Sequence, residues 1–442
     1  MFFRSSMMLA AASMVFLASC AKDGEMGATG PAGKDGKDAN ETCKLCHTPS
    51  VVDKVSVEFQ LSKHEFGLAA EEEAGNVGCA ACHEHEGFLY VCKNNTSVAF
   101  YQDSATGPWK NGYNVPANAA YGKITCFTCH SSLHTTYGYS DMSSLTTTAA
   151  VPLTMWGGEK TINLTQDGGK GNLCVKCHQP RPMASLTTSA RKGKYLDYAD
   201  LAANASAVAY DSTTGVTTNL ITPGYRTHIH YGAVGVIAAG IGGVEFGSGY
   251  SSSTHATAAS CQDCHMAPIT GAAGGHSFKA KGNFNGCNTA DCHKTGVGSG
   301  LMSSSNAKFT SVRTEIKTLL NTLAGKLKSS GIEIMNRNPD ATTNLWAGLT
   351  TNNYDGYLNV YDPVNNPNGP TYNTQQFRNM GSTSSWTAAQ KAINNALPKM
   401  YLTKGQLGAM INFQLALREY SLGIHNYDYV KTLLNNSIAV LP

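Results

Sequence analysis

A short cysteine motif repeats along the first two thirds of this chain and constrains its fold more than any other feature. Five stretches have the form Cys-x-x-Cys-His: Cys43–His47, Cys79–His83, Cys126–His130, Cys174–His178 and Cys261–His265. A sixth stretch, Cys287–His293, has four residues between its cysteines. Chance does not produce five copies of such a motif in one chain, so the copies are expected to share one chemistry.

This spacing predicts covalent haem attachment, because two such thiols can form thioethers at one edge of a haem while the next His ligates the iron. The predicted attachment cysteines are Cys43, Cys46, Cys79, Cys82, Cys126, Cys129, Cys174, Cys177, Cys261, Cys264, Cys287 and Cys292. The predicted proximal ligands are His47, His83, His130, His178, His265 and His293. The chain is thus expected to carry six haems c, or five if the Cys287–Cys292 motif is not used.

Two other uses of paired cysteines fit the pattern less well. A structural zinc site needs a second cysteine pair or two histidines, and it does not require His directly after each pair. A disulfide framework suits an exported chain but explains neither the repeated His nor the constant gap. Haem attachment is therefore the preferred interpretation.

Eight further histidines are available as distal ligands, which is enough for bis-His ligation at every iron. His85 lies only two residues after His83 and is the expected bystander. His134 lies one helical turn after His130, so it is expected to reach a neighbouring haem. The candidate distal ligands are His64, His134, His228, His230, His255, His276 and His425, with only one of His228 and His230 expected to ligate. Bis-His ligation favours low reduction potentials, since Met is the axial ligand that raises them.

The N-terminus is typical of an exported lipoprotein. Arg4 precedes an apolar run too short to span a bilayer, so residues 1–19 are predicted to be a signal peptide. The run ends in Leu17-Ala18-Ser19-Cys20, which resembles a bacterial lipoprotein cleavage box and predicts lipidation of Cys20. Glycines at period three within residues 20–40 predict a flexible spacer. This composition favours the outer membrane and leaves open whether the protein faces the cell surface.

The predicted fold is mainly α with extensive loops, in which short helices pack a haem array. Residues 41–299 carry all six motifs, with too little chain per motif for independent domains. Residues 300–442 carry none and are predicted to be helical, packing on the array. Apolar spacing from Phe309 to Leu327 predicts one helix, Leu407–Tyr420 a second, and a third begins near Asp428 with Asn426 as N-cap. Residues 233–244 are predicted to be a packed loop.

Charge and the last unassigned cysteine complete the sequence argument. Lys and Arg number 33 against 30 acidic residues, with no basic block, which excludes a protein held mainly by nucleic-acid phosphates. Apart from the motifs and Cys20, the chain has one cysteine, Cys92, which is predicted to be buried and inert.

The chain resembles the multihaem cytochromes c, and more narrowly the superfamily of pentahaem nitrite reductases and octahaem oxidoreductases. The resemblance rests on CQDCHM at Cys261–Met266 with the preceding His255, on GGHSF around His276 and on GIHNYDY around His425. Those reductases have a Lys-ligated catalytic haem, whereas every motif here ends in His. No catalytic residue is therefore assigned.

The leading hypothesis is a lipid-anchored cytochrome that relays electrons, without catalysis of its own, to redox proteins or an extracellular acceptor. A second hypothesis is a reductase of a small nitrogen or sulfur compound with one open-site haem. A third is a subunit of a cytochrome assembly or homo-oligomer.

Overall fold

The computed structural model describes residues 48–66, 78–102, 109–113, 115–116, 122–131, 145–180, 195–211, 220, 229–230, 232–294, 300–329, 332–335, 357–360, 387–389, 392 and 401–442. The chain divides into two compact units, Met1–Asp53 with Gly138–Met142 and Lys54–Tyr137 with Ser143–Pro442. Residues 299 and 300, where the predicted motif-bearing region meets the predicted C-terminal region, both lie in the second unit. The predicted signal peptide, Cys20 and the spacer lie outside the described residues.

The chain is mainly helical with few, short strands, which confirms the predicted class. The short helices are α1 Pro49–Gln60, α2 Lys63–Phe66, α3 Ala80–His83, α4 His85–Lys93, α5 Cys126–Cys129, α6 Lys170–Cys177, α7 Tyr198–Ala203, α8 Val234–Ala238, α9 Thr254–Ala258 and α10 Cys261–His265. The C-terminal helices are α11 Ala307–Ser329, α12 Lys404–Arg418 and α13 Tyr427–Val440. Single turns occur at Thr154–Trp156, Gly275–Ser277 and Ala290–Lys294, the last a π-helical turn. None of the helices described is long and apolar enough to cross a membrane.

The strands form antiparallel pairs and no larger sheet within the described residues. The strands are β1 Val98–Gln102, β2 Trp109–Tyr113, β3 Val151–Pro152, β4 Thr161–Ile162, β5 Val208–Asp211, β6 Ile332–Met335, β7 Tyr357–Val360 and β8 Tyr401–Thr403. Three pairs join consecutive strands, whereas β5 pairs with the distant β8 through Val208↔Thr403 and Asp211↔Tyr401. This pairing places the start of α12 beside α7, where Lys404 Nζ lies 2.7 Å from Asp200 Oδ2.

The three predicted C-terminal helices are all present. α11 covers the predicted apolar run. α12 begins at Lys404, before the predicted Leu407, because Thr403 and Gln406 form a capping box with both reciprocal hydrogen bonds. Asn426 occupies the N-cap position of α13, but its side chain makes no capping bond. Its amide instead donates to Ile237 O at 3.1 Å and its oxygen accepts from Ser253 N at 2.9 Å.

Helix α12 is the centre of the main apolar core. Every residue from Leu407 to Arg418 is buried, as expected for a helix surrounded on all sides. α11 contributes Leu320 and Leu323 to this core, and α13 contributes Tyr429 and Leu433.

The prediction that residues 233–244 form a loop is wrong for residues 234–238. Val234–Ala238 forms helix α8, with Val236 and Ile237 buried. This segment packs on the C-terminal helices: Val244 N donates to Asn412 Oδ1 at 2.7 Å, and a Cβ at Gly243 would lie 2.4 Å from Leu433 Cδ1. Gly243 thus permits a close approach that a side chain would prevent.

Candidate functional site

Each described motif forms a turn that brings its first cysteine and its histidine together. In three motifs the His N–H donates to the carbonyl of the first Cys four residues earlier: His83 to Cys79 at 3.1 Å, His130 to Cys126 at 3.0 Å and His178 to Cys174 at 2.9 Å. One helical turn therefore separates the two groups, so they lie on the same side of the helix. The Cys43–His47 motif lies outside the described residues.

The sixth motif reaches the same arrangement despite its longer gap. His293 N donates to Cys287 O at 2.9 Å, across six residues instead of four. The π-helical turn Ala290–Lys294 accommodates the two additional residues. The hydrogen bond from the His N–H to the carbonyl of the first Cys is thus the same in the sixth motif as in the shorter motifs.

The described motif histidines each lie against a second histidine from a distant part of the chain. The ring centroids are 6.0 Å apart for His83–His230, 6.4 Å for His130–His276, 6.0 Å for His178–His64, 6.2 Å for His265–His425 and 6.1 Å for His293–His255. Each pair unites one predicted proximal ligand with one predicted distal ligand. The remaining distal candidates, His134 and His228, lie outside the described residues.

The ring separation is the one expected for two imidazoles on opposite sides of one metal ion. A metal–imidazole bond is about 2 Å, and a ring nitrogen lies about 1.1 Å from its centroid, so two such ligands in line have centroids about 6.2 Å apart. All five measured separations fall within a few tenths of an ångström of this value. The ring planes range from near-parallel in His265–His425, at 7°, to near-perpendicular in His255–His293, at 78°.

Several of these histidines have Nδ1 engaged by an oxygen, which leaves Nε2 for a metal. His265 Nδ1 lies 2.8 Å from Phe278 O, and His255 Nδ1 lies 3.1 Å from Ile424 O. His425 Nδ1 lies 2.6 Å from Glu419 Oε2. Such contacts fix the tautomer and the ring orientation of metal-ligating histidines. The residues present therefore fit a metal centre bound through Nε2.

Burial keeps one histidine pair neutral. Burial, together with the nearby His64 and His265, lowers the pKa of His178 to about 4. Burial also lowers the pKa of His64. Because a ligating imidazole must carry a free lone pair, the neutral form is the one that binds iron.

In the pair His265–His425, a carboxylate contacts one ring directly: Glu419 Oε2 lies 2.6 Å from His425 Nδ1. Burial alone lowers the pKa of His425, but the hydrogen bond and negative charge of Glu419 outweigh burial, so that the pKa is raised. Burial likewise acts to raise the pKa of Glu419, and the hydrogen bonds from His425 and Ser421 reverse that effect.

The buried polar residues of α12 hold backbone segments next to the distal histidines. Gln414 Oε1 accepts from Ile229 N at 3.3 Å, and Arg418 donates to Ile229 O. Both contacts fix the residue directly before His230. The C-terminal helical region, which carries no motif, therefore helps to position histidines opposite three different motifs: His230, His255 and His425.

Thiol contacts show which motifs are neighbours. Thiols of neighbouring motifs lie close enough to shift one another's pKa, which pairs Cys82 with Cys177, Cys174 with Cys261, and Cys264 with Cys287. The motifs beginning at Cys79, Cys174, Cys261 and Cys287 therefore follow one another in space.

His85 places the motif at Cys126 next to the motif at Cys79, and so next to the row of neighbouring motifs described above. Its Nδ1 lies 2.8 Å from Thr128 Oγ1 inside that motif, and its backbone N–H donates to Gly122 O. No second imidazole pairs with His85 in the described part of the chain. Its contacts are thus those of a structural residue between two motifs.

One glycine makes the closest motif contact possible. A Cβ at Gly286 would lie 2.0 Å from Asp263 O, so no other residue fits directly before Cys287 without displacing the neighbouring motif.

Cys92 is half-buried, not fully buried as predicted, and burial raises the pKa of its thiol to about 11. It lies near cysteines of three motifs, Cys82, Cys129 and Cys177. None of the cysteines that the structure describes forms a disulfide.

Each histidine pair offers two side-chain ligands to a metal between its rings. Among the described residues, no group of three or more His, Cys, Asp or Glu side chains surrounds a common point. Zinc sites in proteins use at least three side-chain ligands, whereas each pair here offers two. Two opposed imidazoles leave the other coordination positions of a metal between them to other ligands.

Sequence reasoning missed Glu419 and Glu58, which contact His425 and His276. One feature of the sequence could have identified Glu419. A negative charge at the C-terminal end of a helix interacts unfavourably with the helix dipole, which suggests that the residue has another role. Glu58 lies far from His276 in the sequence, and no feature of the sequence could have identified it.

No protein-family model, curated protein or solved structure matches this chain.

Proposed function

We propose that this chain is a multihaem c-type cytochrome that relays electrons through six haems, of which at least five have bis-His ligation. The observation that carries the proposal is the set of five His–His pairs with ring centroids 6.0–6.4 Å apart, each beside a cysteine pair. When bound, haem supplies an iron that cycles between the ferric and ferrous states.

The chain's own residues would hold these haems in fixed places. The cysteine pairs would provide covalent attachment, and the two histidines of each pair would fill both of the iron's remaining coordination positions. With both positions filled, a site transfers electrons but leaves no room for a substrate. The contacts between neighbouring motifs support an order for the five described motifs: the motif at Cys126, then those at Cys79, Cys174, Cys261 and Cys287.

The location proposed for this relay rests on the sequence. Lipidation of Cys20 would anchor the mature chain to the outer membrane, with redox proteins or an extracellular acceptor as partners. Replacing Cys20 by Ser should move the protein from the membrane fraction to the soluble fraction without changing its haem content.

Two measurements on the purified, full-length protein test the function. Pyridine haemochrome absorbance should give six haems per chain, and five would indicate that one motif is not used. Low-temperature EPR should show low-spin ferric signals from the bis-His sites. A high-spin signal equal to one haem per chain would overturn the pure relay and favour the reductase hypothesis.

A further inference from the structure

The turn between α12 and α13 is built around one buried carboxylate. Glu419 is fully buried. Its Oε1 accepts from Ser421 N at 3.1 Å and from Gly423 N at 2.9 Å. Its Oε2 accepts from Ser421 Oγ at 2.6 Å and lies 2.6 Å from His425 Nδ1. Four donors thus converge on one side chain, and one of them is the ring of His425.

The backbone of this turn adopts unfavourable conformations. Tyr420 and Leu422 have φ values of 62° and 58°, in the left-handed region that residues with a side chain rarely enter. A residue in such a conformation persists only where surrounding contacts fix it. The hydrogen bonds to Glu419 are those contacts, and the strained turn brings the His425 ring against His265.

A second buried carboxylate shows what is particular to Glu419. Glu58 Oε2 accepts from the backbone N–H of His276 at 3.0 Å, whereas His276 Nδ1 lies 3.8 Å away. Glu58 thus fixes the backbone that carries its histidine, while Glu419 contacts the ring itself. His265 and His255 direct Nδ1 to neutral carbonyls instead.

We propose that Glu419 is a positioning residue for the His265–His425 pair, holding the two rings parallel and making that site more reducing than a neutral acceptor would. A carboxylate that accepts from Nδ1 raises the basicity of the imidazole, and a more basic ligand stabilises the ferric state. The inference rests on the proposed haem ligation, and it assigns to Glu419 control over both orientation and potential.

The test is a redox titration of the full-length holoprotein followed by EPR. The near-parallel rings of His265–His425, at 7°, predict a rhombic low-spin signal, whereas the near-perpendicular pairs predict a single feature at large g. In Glu419→Gln, the rhombic signal should titrate at a higher potential. We expect about a tenfold change in the reduction equilibrium, which corresponds to about 59 mV for one electron. Glu315→Gln is the charge-matched control, since Glu315 contacts Lys431 and Tyr427.

A second variant gives a shift of opposite sign. Ser421→Ala removes the hydroxyl that donates to Oε2 and accepts from His425 N at 3.1 Å, but it keeps both backbone hydrogen bonds to Oε1. The carboxylate then interacts more strongly with the ring, so the potential should fall. Because Ser421→Ala retains the carboxylate, it tests the proposal even if Glu419→Gln does not fold.

The outcomes separate the two proposals. Wild-type protein without haem, or without low-spin signals, contradicts the proposed function. Full haem content with a rhombic signal whose midpoint is the same in wild type, Ser421→Ala and any folded Glu419→Gln overturns the role of Glu419 alone. A rise in Glu419→Gln, or a fall in Ser421→Ala, that Glu315→Gln does not reproduce supports it.

Discussion

The C-terminal helices and the segment around the first described motifs bury very different amounts of apolar side chain. Helices α11, α12 and α13 share a large aliphatic core that includes Leu320, Phe413 and Leu433. The smaller cluster consists of Ala80, Ala81, Val91, Val98, Tyr113 and Val115. Since burial of apolar surface is the main source of stability, the helices can form a core from side chains alone. The motif segment depends on something further, which under the proposed function is haem.

The largest effect should come from withholding the cofactor. In protein produced without haem attachment, we expect the amides of α3, α4 and α5 to exchange with solvent nearly as fast as an unfolded chain. The amides of α12 and α13 should remain protected, because their core needs no cofactor. Hydrogen exchange followed by mass spectrometry, with holoprotein as control, measures both regions together. Equal loss of protection in the two regions would show that the C-terminal core also needs haem.

Replacing Leu by Ala at one buried and at one exposed position tests the aliphatic core directly. Leu433 is fully buried against Gly243, whereas Leu301 is 62% exposed. Leu433→Ala should lower the free energy of unfolding by about 2–5 kcal/mol through lost burial and the cavity left behind. Leu301→Ala should change it by less than about 0.5 kcal/mol. Urea unfolding monitored by far-UV circular dichroism compares them, and similar midpoints would contradict the assigned core.

The same contrast explains what could be predicted from the sequence. The C-terminal helices follow local apolar spacing, so Phe309 to Leu327 identified α11, and the motif turns follow from the Cys-to-His spacing. The histidine pairs are tertiary: His64 and His178 are far apart in the chain, and no local rule joins them. The candidate ligands could therefore be predicted from the sequence. Which two histidines form each pair could not be predicted, and neither could the contact between Glu419 and His425. The sequence predicts Asn426 as a cap, yet its side chain accepts from Ser253 N just before His255, because tertiary contacts outweigh local preference.

A buried polar contact joins the aliphatic core to the segment that follows α8. Asn412 Oδ1 accepts from Val244 N at 2.7 Å, and its Nδ2 donates to Val244 O at 2.8 Å and to Ser437 Oγ at 2.8 Å. Asn412→Leu leaves two backbone groups of Val244 without these partners, and we expect a loss of about 2–4 kcal/mol in the free energy of unfolding. Ser437→Ala removes a hydroxyl that accepts from Asn412 and donates to Leu433 O, but it leaves both Val244 contacts in place and should cost about 1 kcal/mol. Urea midpoints should rank the variants in this order, and a larger cost for Ser437→Ala would exclude the assigned role of Asn412.

The smallest effect concerns an exposed contact between two of the helices. Lys431 Nζ of α13 lies 2.7 Å from Glu315 Oε1 of α11, and Tyr427 also donates to Glu315. The hydrogen bonds from Lys431 and then Tyr427 lower the pKa of Glu315. A carboxyl whose pKa is lowered in the folded state stabilises the fold above its unfolded pKa, about 4.3, and this contribution disappears as the pH falls through the folded value.

Glu315→Gln removes that dependence on pH. Because both charged side chains are more than a third exposed, the contribution should be only about 0.5 kcal/mol after solvent screening. Urea midpoints measured from pH 6 to about pH 3 should therefore converge for wild type and Glu315→Gln as the pH falls. A constant difference across this range would mean that the packing of Glu315, and not its charge, links α11 to α13. Added salt should reduce the difference at pH 6, since it screens exposed charges but leaves the aliphatic core between these helices unaffected.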